Sequence, residues 1–222
     1  MPKNTHAFDN FMSKTQIEIA EHLLRIKAVK IQPNDPFTWS SGLRSPIYCD
    51  NRLLLSYPQV RELVKNAFVE AANHFDDVDV IGGVATAGIP HGALMADAMS
   101  KPFIYVRAKA KGHGRQNKIE GHLEKGQRVL LIEDLISTGG SSLKAVDALV
   151  EHGVDVVGVL AIFSYGFDIA DQAFHNASIP FRTLTSLDHL IDAAEKGGLS
   201  KSDTDLVRSW RKDPKAWGKA IS

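Results

Sequence analysis

The stretch Val129-Leu-Leu-Ile-Glu133-Asp134-Leu-Ile-Ser137-Thr138-Gly139-Gly140-Ser141 decides how the rest of the chain is read. Its four leading apolar residues, Val129–Ile132, read as a buried strand. Two carboxylates, Glu133 and Asp134, follow at the carboxyl end of that strand. A turn rich in hydroxyls and glycine then opens a helix expected over Ser141–His152. Gly153 ends it, the residue type that takes the left-handed C′ position without steric cost. Amides at a helix N-terminus, helped by the helix dipole, hold a phosphate. Ser137, Thr138 and Ser141 add hydroxyl donors, and Gly139 and Gly140 let the backbone approach an anion closely. Carboxylates repel phosphate, so Glu133 and Asp134 are expected to face sugar hydroxyls or the shell of a metal. The plainer alternative is a polar turn with a capping serine. That alternative leaves two adjacent acids after a wholly apolar strand without a folding reason. A Walker-type loop is excluded, because the Gly-Lys-Ser/Thr ending is absent.

The alternation of strand and helix extends outward in both directions. Strands are expected at Val78–Val84, Phe103–Val106, Val154–Phe163 and Phe181–Thr185. Helices are expected at Ile89–Met99, at Asp168–Asn176 and near 187–196 and 202–212. Strands apolar on both faces, alternating with helices, define an α/β fold with a mostly parallel central sheet flanked by helices. Ligands of such sheets sit beyond the carboxyl ends of the strands. The part before residue 57 reads differently. Ile17, Ala20, Leu23, Leu24 and Ala28 predict a helix over 14–28, and Pro33, Pro36, Ser40-Ser41-Gly42 and Pro46 then punctuate short extended pieces. Residues 1–56 are therefore expected to form an appendage of one helix and short strands. Residues 57–222 form the regular core, opened by Pro58 in a first helical turn and an apolar stripe at Val60, Leu63, Val64, Ala67, Phe68 and Ala71.

Bulk properties narrow the function classes. The 222 residues suffice for one large domain or a domain with an appendage. Lys+Arg 26 balances Asp+Glu 26, so no global field draws nucleic acid or an anionic membrane, and anion binding must be local. The lone Cys49 excludes an internal disulfide and fits a reducing compartment. Neither a signal-type apolar segment nor a run of about 18 apolar residues occurs. A cytoplasmic location is expected, with no nucleic-acid and no membrane partner. The histidines lack zinc-type spacing. Cys49 reads as a small hydrophobe rather than a nucleophile, and His22, His74 and His152 read as helix-surface residues.

Two further segments carry chemistry. Arg107-Ala-Lys109-Ala-Lys111-Gly-His113-Gly-Arg115-Gln-Asn-Lys118-Ile-Glu-Gly121 is basic, glycine-rich and too long for an ordinary connection. It suits a lid whose cations meet an anionic leaving group and exclude water; the alternative is a solvated surface loop. Thr86-Ala87-Gly88 lies between a strand and a helix, where its amides can hold an anion; the alternative is a tight turn.

These residues carry a resemblance. Val129–Ser141 is similar to the 5-phosphoribosyl-1-diphosphate (PRPP) signature of the type I phosphoribosyltransferases. Phe37-Thr-Trp-Ser-Ser-Gly42 and Ser45-Pro-Ile-Tyr-Cys-Asp50-Asn-Arg52 resemble the hood segment of the orotate phosphoribosyltransferases, especially the form of Gram-positive bacteria. Gly83-Val-Ala-Thr-Ala-Gly88-Ile-Pro90 resembles that family's diphosphate loop, and Tyr105-Val-Arg107 with Lys111-Gly-His113 resembles its mobile catalytic loop. The chain departs from the pattern at three places. Ala108 stands where many members carry a second lysine, and Ala87 where enterobacterial members carry one. Ser164-Tyr-Gly stands where some carry an arginine near the base.

The resemblance implies a type I phosphoribosyltransferase fold with a small N-terminal hood. It implies transfer of the 5-phosphoribosyl group from PRPP to orotate, giving orotidine 5′-monophosphate and diphosphate on the route to UMP. It assigns catalysis to Arg107, Lys111 and His113, which also contact PRPP. It assigns further PRPP contacts to Glu133, Asp134, Leu135, Ile136, Ser137, Thr138, Gly139, Gly140 and Ser141, and to Thr86, Ala87 and Gly88. Ser137 also falls on the position that touches orotate, while Tyr48 and Arg52 either shape the base pocket or, for Tyr48, simply pack. Mg²⁺ is the implied cofactor, held by PRPP and water with no direct protein ligand. A homodimer is implied, with loop 107–121 reaching the neighbouring subunit's site. Two other readings stay open. A PRPP-binding regulator without catalysis is opposed by the neutral charge and the lack of an added DNA-binding segment. A purine phosphoribosyltransferase is opposed by the hood.

Overall fold

Val129–Ile132 are all fully buried, and their side chains alternate between two cores. Leu130 and Ile132 join one apolar cluster, while Val129 and Leu131 join the other. That is the period-two geometry of a strand covered on both faces. Burying each such side chain is worth about 1.5–3 kcal/mol, enough to hold the strand in place against the cost of the two acids that follow.

The computed structural model describes residues 5–39, 41–75, 77–108 and 118–220, with side chains from residue 14 to 219 within those ranges. The N-terminal part comprises α1 (Thr5–Arg25), β1 (Val29–Ile31), β2 (Phe37–Thr38), β3 (Arg44–Ser45), β4 (Ile47–Cys49) and a 3-10 helix, Asn51–Ser56. The core continues with α2 (Pro58–Ala71), β5 (Val80–Val84), α3 (Gly88–Met99), β6 (Phe103–Val106) and β7 (Ile119–Glu120). Then come β8 (Arg128–Ile136), α4 (Gly140–His152), β9 (Asp155–Ser164), α5 (Asp168–Asn176) and β10 (Phe181–Ser186). Helices α6 (Leu187–Lys196), α7 (Lys201–Lys212) and α8 (Pro214–Ala220) follow.

Six strands form one sheet in the order β10-β9-β8-β5-β6-β7, parallel except for β7. The first cluster packs α1, α2 and α6 against one face through Leu23, Phe68 and Ile191. The second packs α4 and α5 against the other through Leu149 and Phe174. The short strands pair outside this sheet, β1 with β4 and β2 with β3, both antiparallel. They form the hood, tied to α7 where Trp39 meets the edge of Trp210 at 5.7 Å. Trp210 Nε1 also donates to the Arg44 carbonyl at 3.2 Å. Helix α1 packs against α6 and β10, and the Thr185 hydroxyl donates to the Gln16 carbonyl at 2.8 Å.

The expected elements are present, with instructive differences. Strand β8 runs to Ile136, not Ile132, and so carries both acids inside it. The reason is β9, which pairs with β8 as far as Ile136↔Ser164; ladder bonds override the poor strand preference of acidic residues. Helix α1 begins at Thr5, ahead of the expected residue 14. Strand β7 and helix α8 were not expected at all. The start of α8 has a local signal, since the Asp213 side chain accepts from the Ala216 amide at 2.9 Å just as Pro214 opens the helix. Among the described residues no helix is long and apolar enough to cross a membrane.

Candidate active site

Strands β5 and β8 lie side by side in parallel, so both deliver their next residues to the same edge of the sheet. Beyond β5, Ala85–Ala87 lead into α3; beyond β8, Ser137–Gly139 lead into α4. A cleft of about 330 Å³ lies between these two turns. Ala85, Thr86 and Ala87 wall one side, Ser137–Ser141 the other, and Glu133, Asp134 and Leu135 line it from β8. Two helix N-termini, each carrying partial positive charge, thus share a cleft with two carboxylates. The Ala85–Thr86 peptide in its wall is cis.

Two glycines make the close approach possible. A Cβ on Gly88 would lie 2.3 Å from the Ile132 carbonyl oxygen, so α3 starts directly against the backbone of β8. Gly139 takes φ +79°, and a Cβ there would meet Phe174 at 2.9 Å. The left-handed turn that aims the α4 amides at the cleft therefore needs glycine on both counts.

The acids are not alike. Glu133 is 5% exposed, its Oε1 accepting from the Asp134 amide at 3.1 Å and its Oε2 from the Ser142 hydroxyl at 3.3 Å. Burial first, then repulsion from Asp134, pushes its carboxyl well above the usual range. Asp134 is also pushed up by burial, but stays partly accessible in the cleft. Its backbone carbonyl accepts from Asn51 Nδ2 at 2.7 Å. Among the described residues neither carboxyl makes an ion pair. Two neighbouring buried acids with no described ion pair titrate together, favour a bound proton and attract donors such as vicinal hydroxyls.

The expected residues divide by position. Thr86, Ala87, Glu133, Asp134, Leu135, Ser137, Thr138, Gly139, Gly140 and Ser141 line the cleft together. Gly88 lies behind it, where it packs α3 onto β8, and Ile136 is buried in the second core. Ser137 and Thr138 also wall a larger cavity of about 910 Å³ that extends under the hood to α7 and α8. Arg107 follows β6; its amide donates to the Lys118 carbonyl at 2.7 Å, and its Nη1 lies 3.3 Å from Glu120 Oε1. These bonds, with the β6–β7 pairing, join the two stems of the basic loop. Lys111 and His113, with Lys109 and Arg115, lie outside the described residues.

Around the hood, Tyr48 is exposed with its ring 5.6 Å from Phe37, and Arg52 is exposed and paired with Asp50 at 2.6 Å. Burial pushes the Cys49 thiol up, which keeps it from acting as a thiolate nucleophile. Two polar contacts of the acids, Asn51 and Ser142, were not singled out by sequence. Both sit in polar strings, Asp50-Asn51-Arg52 and Ser141-Ser142, where nothing local separates a buried side chain from a solvated one.

Parallel strands, paired helix N-termini and an acid pair that makes no ion pair among the described residues suit a ligand with both phosphate and sugar hydroxyls, and the family match places the chain in the phosphoribosyl-transferring class. Residues 53–178 match the family described as "Phosphoribosyl transferase domain". The orotate phosphoribosyltransferase of Listeria innocua serovar 6a is 51% identical over 204 residues, 91% of this chain and 98% of its own length. The crystal structure of orotate phosphoribosyltransferase from Aeropyrum pernix superposes with TM-score 0.72 at 30% identity, over 81% of this chain and 99% of that one. That of the Mycobacterium tuberculosis H37Rv enzyme in complex with PRPP gives TM-score 0.63 at 26% identity, covering 79% and 98%. The chain belongs to the orotate phosphoribosyltransferase family.

Proposed function

We propose that this chain transfers the 5-phosphoribosyl group of PRPP to a ring nitrogen of orotate, releasing diphosphate and forming orotidine 5′-monophosphate for UMP synthesis. The observation that carries the reading is the cleft, where two helix ends suited to phosphate share a wall with a carboxyl pair that makes no ion pair among the described residues. A ligand with phosphate at its ends and hydroxyls between them satisfies both. Relatives about half identical to this chain over nearly their whole length bear the name of that reaction.

Each residue then has a task. The amides and hydroxyls of Thr138–Ser141 hold the 5′-phosphate at the start of α4. Thr86 and Ala87 hold the diphosphate through backbone amides at the start of α3. Asp134, with Glu133 behind it, orients the ribose through its hydroxyls. As the bond from the anomeric carbon to diphosphate breaks, that carbon gains positive charge and the leaving oxygens gain negative charge. Arg107, Lys111 and His113 take up the leaving charge. The orotate ring nitrogen, its acidic proton released to water, donates its electron pair to the anomeric carbon as the bond to diphosphate breaks, so no strong base is required. Ser137, shared by both cavities, places the acceptor beside the donor.

Mg²⁺ is read here as held by the donor and water, and the Glu133 and Asp134 carboxyls that line the cleft would offer oxygens to its outer shell. When bound, the ion neutralises diphosphate charge. A homodimer sharing loop 107–121 belongs to the same reading. So do a hood of residues 1–56 on a core of 57–222, and a cytoplasmic location, supported by the lone Cys49. Loss of orotate ultraviolet absorbance with PRPP and Mg²⁺, run beside adenine, hypoxanthine and uracil, tests the reaction. Turnover with a purine instead, or PRPP binding without turnover, overturns it.

A further inference from the structure

We infer that Asn51 is a positioning residue of the active site: its carboxamide ties the hood to the peptide of Asp134 and sets one against the other. The inference rests on the transfer reaction proposed above. Asn51 is completely buried, while its neighbours Asp50 and Arg52 turn outward and pair with each other at 2.6 Å. A buried carboxamide is costly unless its groups are bonded. Here both ends are used. Oδ1 accepts from the Cys49 thiol at 3.3 Å, and Cys49 is the last residue of hood strand β4. Nδ2 donates to the Asp134 carbonyl at 2.7 Å, across 83 residues of sequence.

The place of that bond gives it a function. Strand β5 stops pairing with β8 at Gly83↔Ile132, two residues before Asp134. Past that point β5 offers no ladder partner, and the Asn51 amide supplies a donor instead. Other side-chain bonds from the hood reach α7, through Trp210 to Arg44 and Asn34 to Asp203. Among the described residues, Asn51 alone carries such a bond from the hood to β8. The residue it holds is itself one of the cleft's acids, so movement of the hood is passed directly to Asp134. Asn51 touches no substrate in this arrangement; it fixes the distance between the wall of the acceptor cavity and the donor cleft.

The test compares three variants with the unaltered protein. Asn51→Asp keeps the shape but puts an acceptor against an acceptor. Asn51→Leu keeps the bulk and removes both bonds. Asn51→Ser retains a donor on a shorter side chain, and is the milder variant should the first two not fold. PRPP binding is titrated by calorimetry without orotate, and kcat and both KM values are expressed per PRPP-binding site, below the melting temperature of every variant. Asn51→Asp is expected to lose about tenfold or more in kcat and to raise the orotate KM, while PRPP affinity changes less than about threefold. Asn51→Ser should fall between it and the unaltered protein. If kcat and orotate KM per binding site are unchanged in every folded variant, Asn51 is merely structural and the inference is wrong, whatever happens to the melting temperature. Failure of the unaltered protein to consume orotate would overturn the reaction instead, and is read in the same assay.

Discussion

The two ends of β8 treat charge in opposite ways. At the amino end, Arg128 is bonded to both oxygens of Asp79, at 3.1 and 3.2 Å, and to Asp77 at 3.0 Å. The bonds to Arg128 hold the Asp79 carboxyl below its usual range. At the carboxyl end, Glu133 and Asp134 adjoin each other with no ion pair among the described residues, and burial holds both above their usual range. One strand thus closes a structural ion pair at one end and, among the described residues, leaves two buried carboxyls without an ion pair at the other. The difference separates charge placed for folding from charge placed for a ligand. A site that binds hydroxyls and cationic character keeps its acids unpaid until substrate arrives.

The acid pair is where the two ends of β8 differ most. Asp134→Asn keeps the shape and removes the charge that steadies the ribose. Turnover is expected to fall about 10²–10³-fold, while the melting temperature holds or rises because the cost of charging a buried carboxyl has gone. Steady-state kinetics beside a thermal melt decide it. Intact turnover with a lower melting temperature would make this end of β8 structural as well.

Stability against pH gives the next largest effect. Glu133 binds its proton more tightly folded than unfolded. Its contribution is therefore fully present below the ordinary glutamate value, about 4.3, and is lost as pH rises from there through the raised value in the fold. The slope within that window is at most about 1.4 kcal/mol per pH unit. Glu133→Gln should flatten it, so denaturant midpoints of the two proteins should converge at acid pH and separate toward neutral pH. Parallel curves would mean that Glu133 is ionised in the free protein.

How much of this was legible in sequence follows from what is local. The apolar run Val129–Ile132 announces a doubly covered strand, and the Ser/Gly turn announces the helix end. The continuation of β8 through its acids was not legible, because it depends on β9, which joins later in the chain. Asn51 and Ser142 were hidden for a related reason: burial of a polar side chain is a property of the partner, here the Asp134 carbonyl and the Glu133 carboxyl. Asp79 and Arg128 lie 49 residues apart, and their pairing is equally a product of the fold.

The turn offers a smaller effect that sharpens the same contrast, because it perturbs geometry and leaves charge alone. Gly139→Ala puts a side chain at φ +79° and against Phe174. A cost of about 1–3 kcal/mol is expected, with weaker PRPP binding as the α4 amides tilt away. Calorimetry should register reduced affinity for PRPP along with a lower melting temperature. A stability loss without a change in affinity would remove this turn from the phosphate site.

The smallest effect belongs to the paired end. Asp79→Asn removes a carboxylate whose side chain is 37% exposed, and exposed pairs contribute little. Its folded pKa is depressed, so its stabilisation is present above the ordinary aspartate value and is lost as pH falls through the depressed one. The variant should therefore match the unaltered protein in strong acid and be slightly less stable at neutral pH, the mirror image of Glu133→Gln. Orotate turnover should not change, since Asp79 lies at the opposite end of the strand from the cleft. A fall in kcat with melting behaviour intact would show that the amino end of β8 also speaks to the site, and that the division between folding charge and ligand charge fails along this strand.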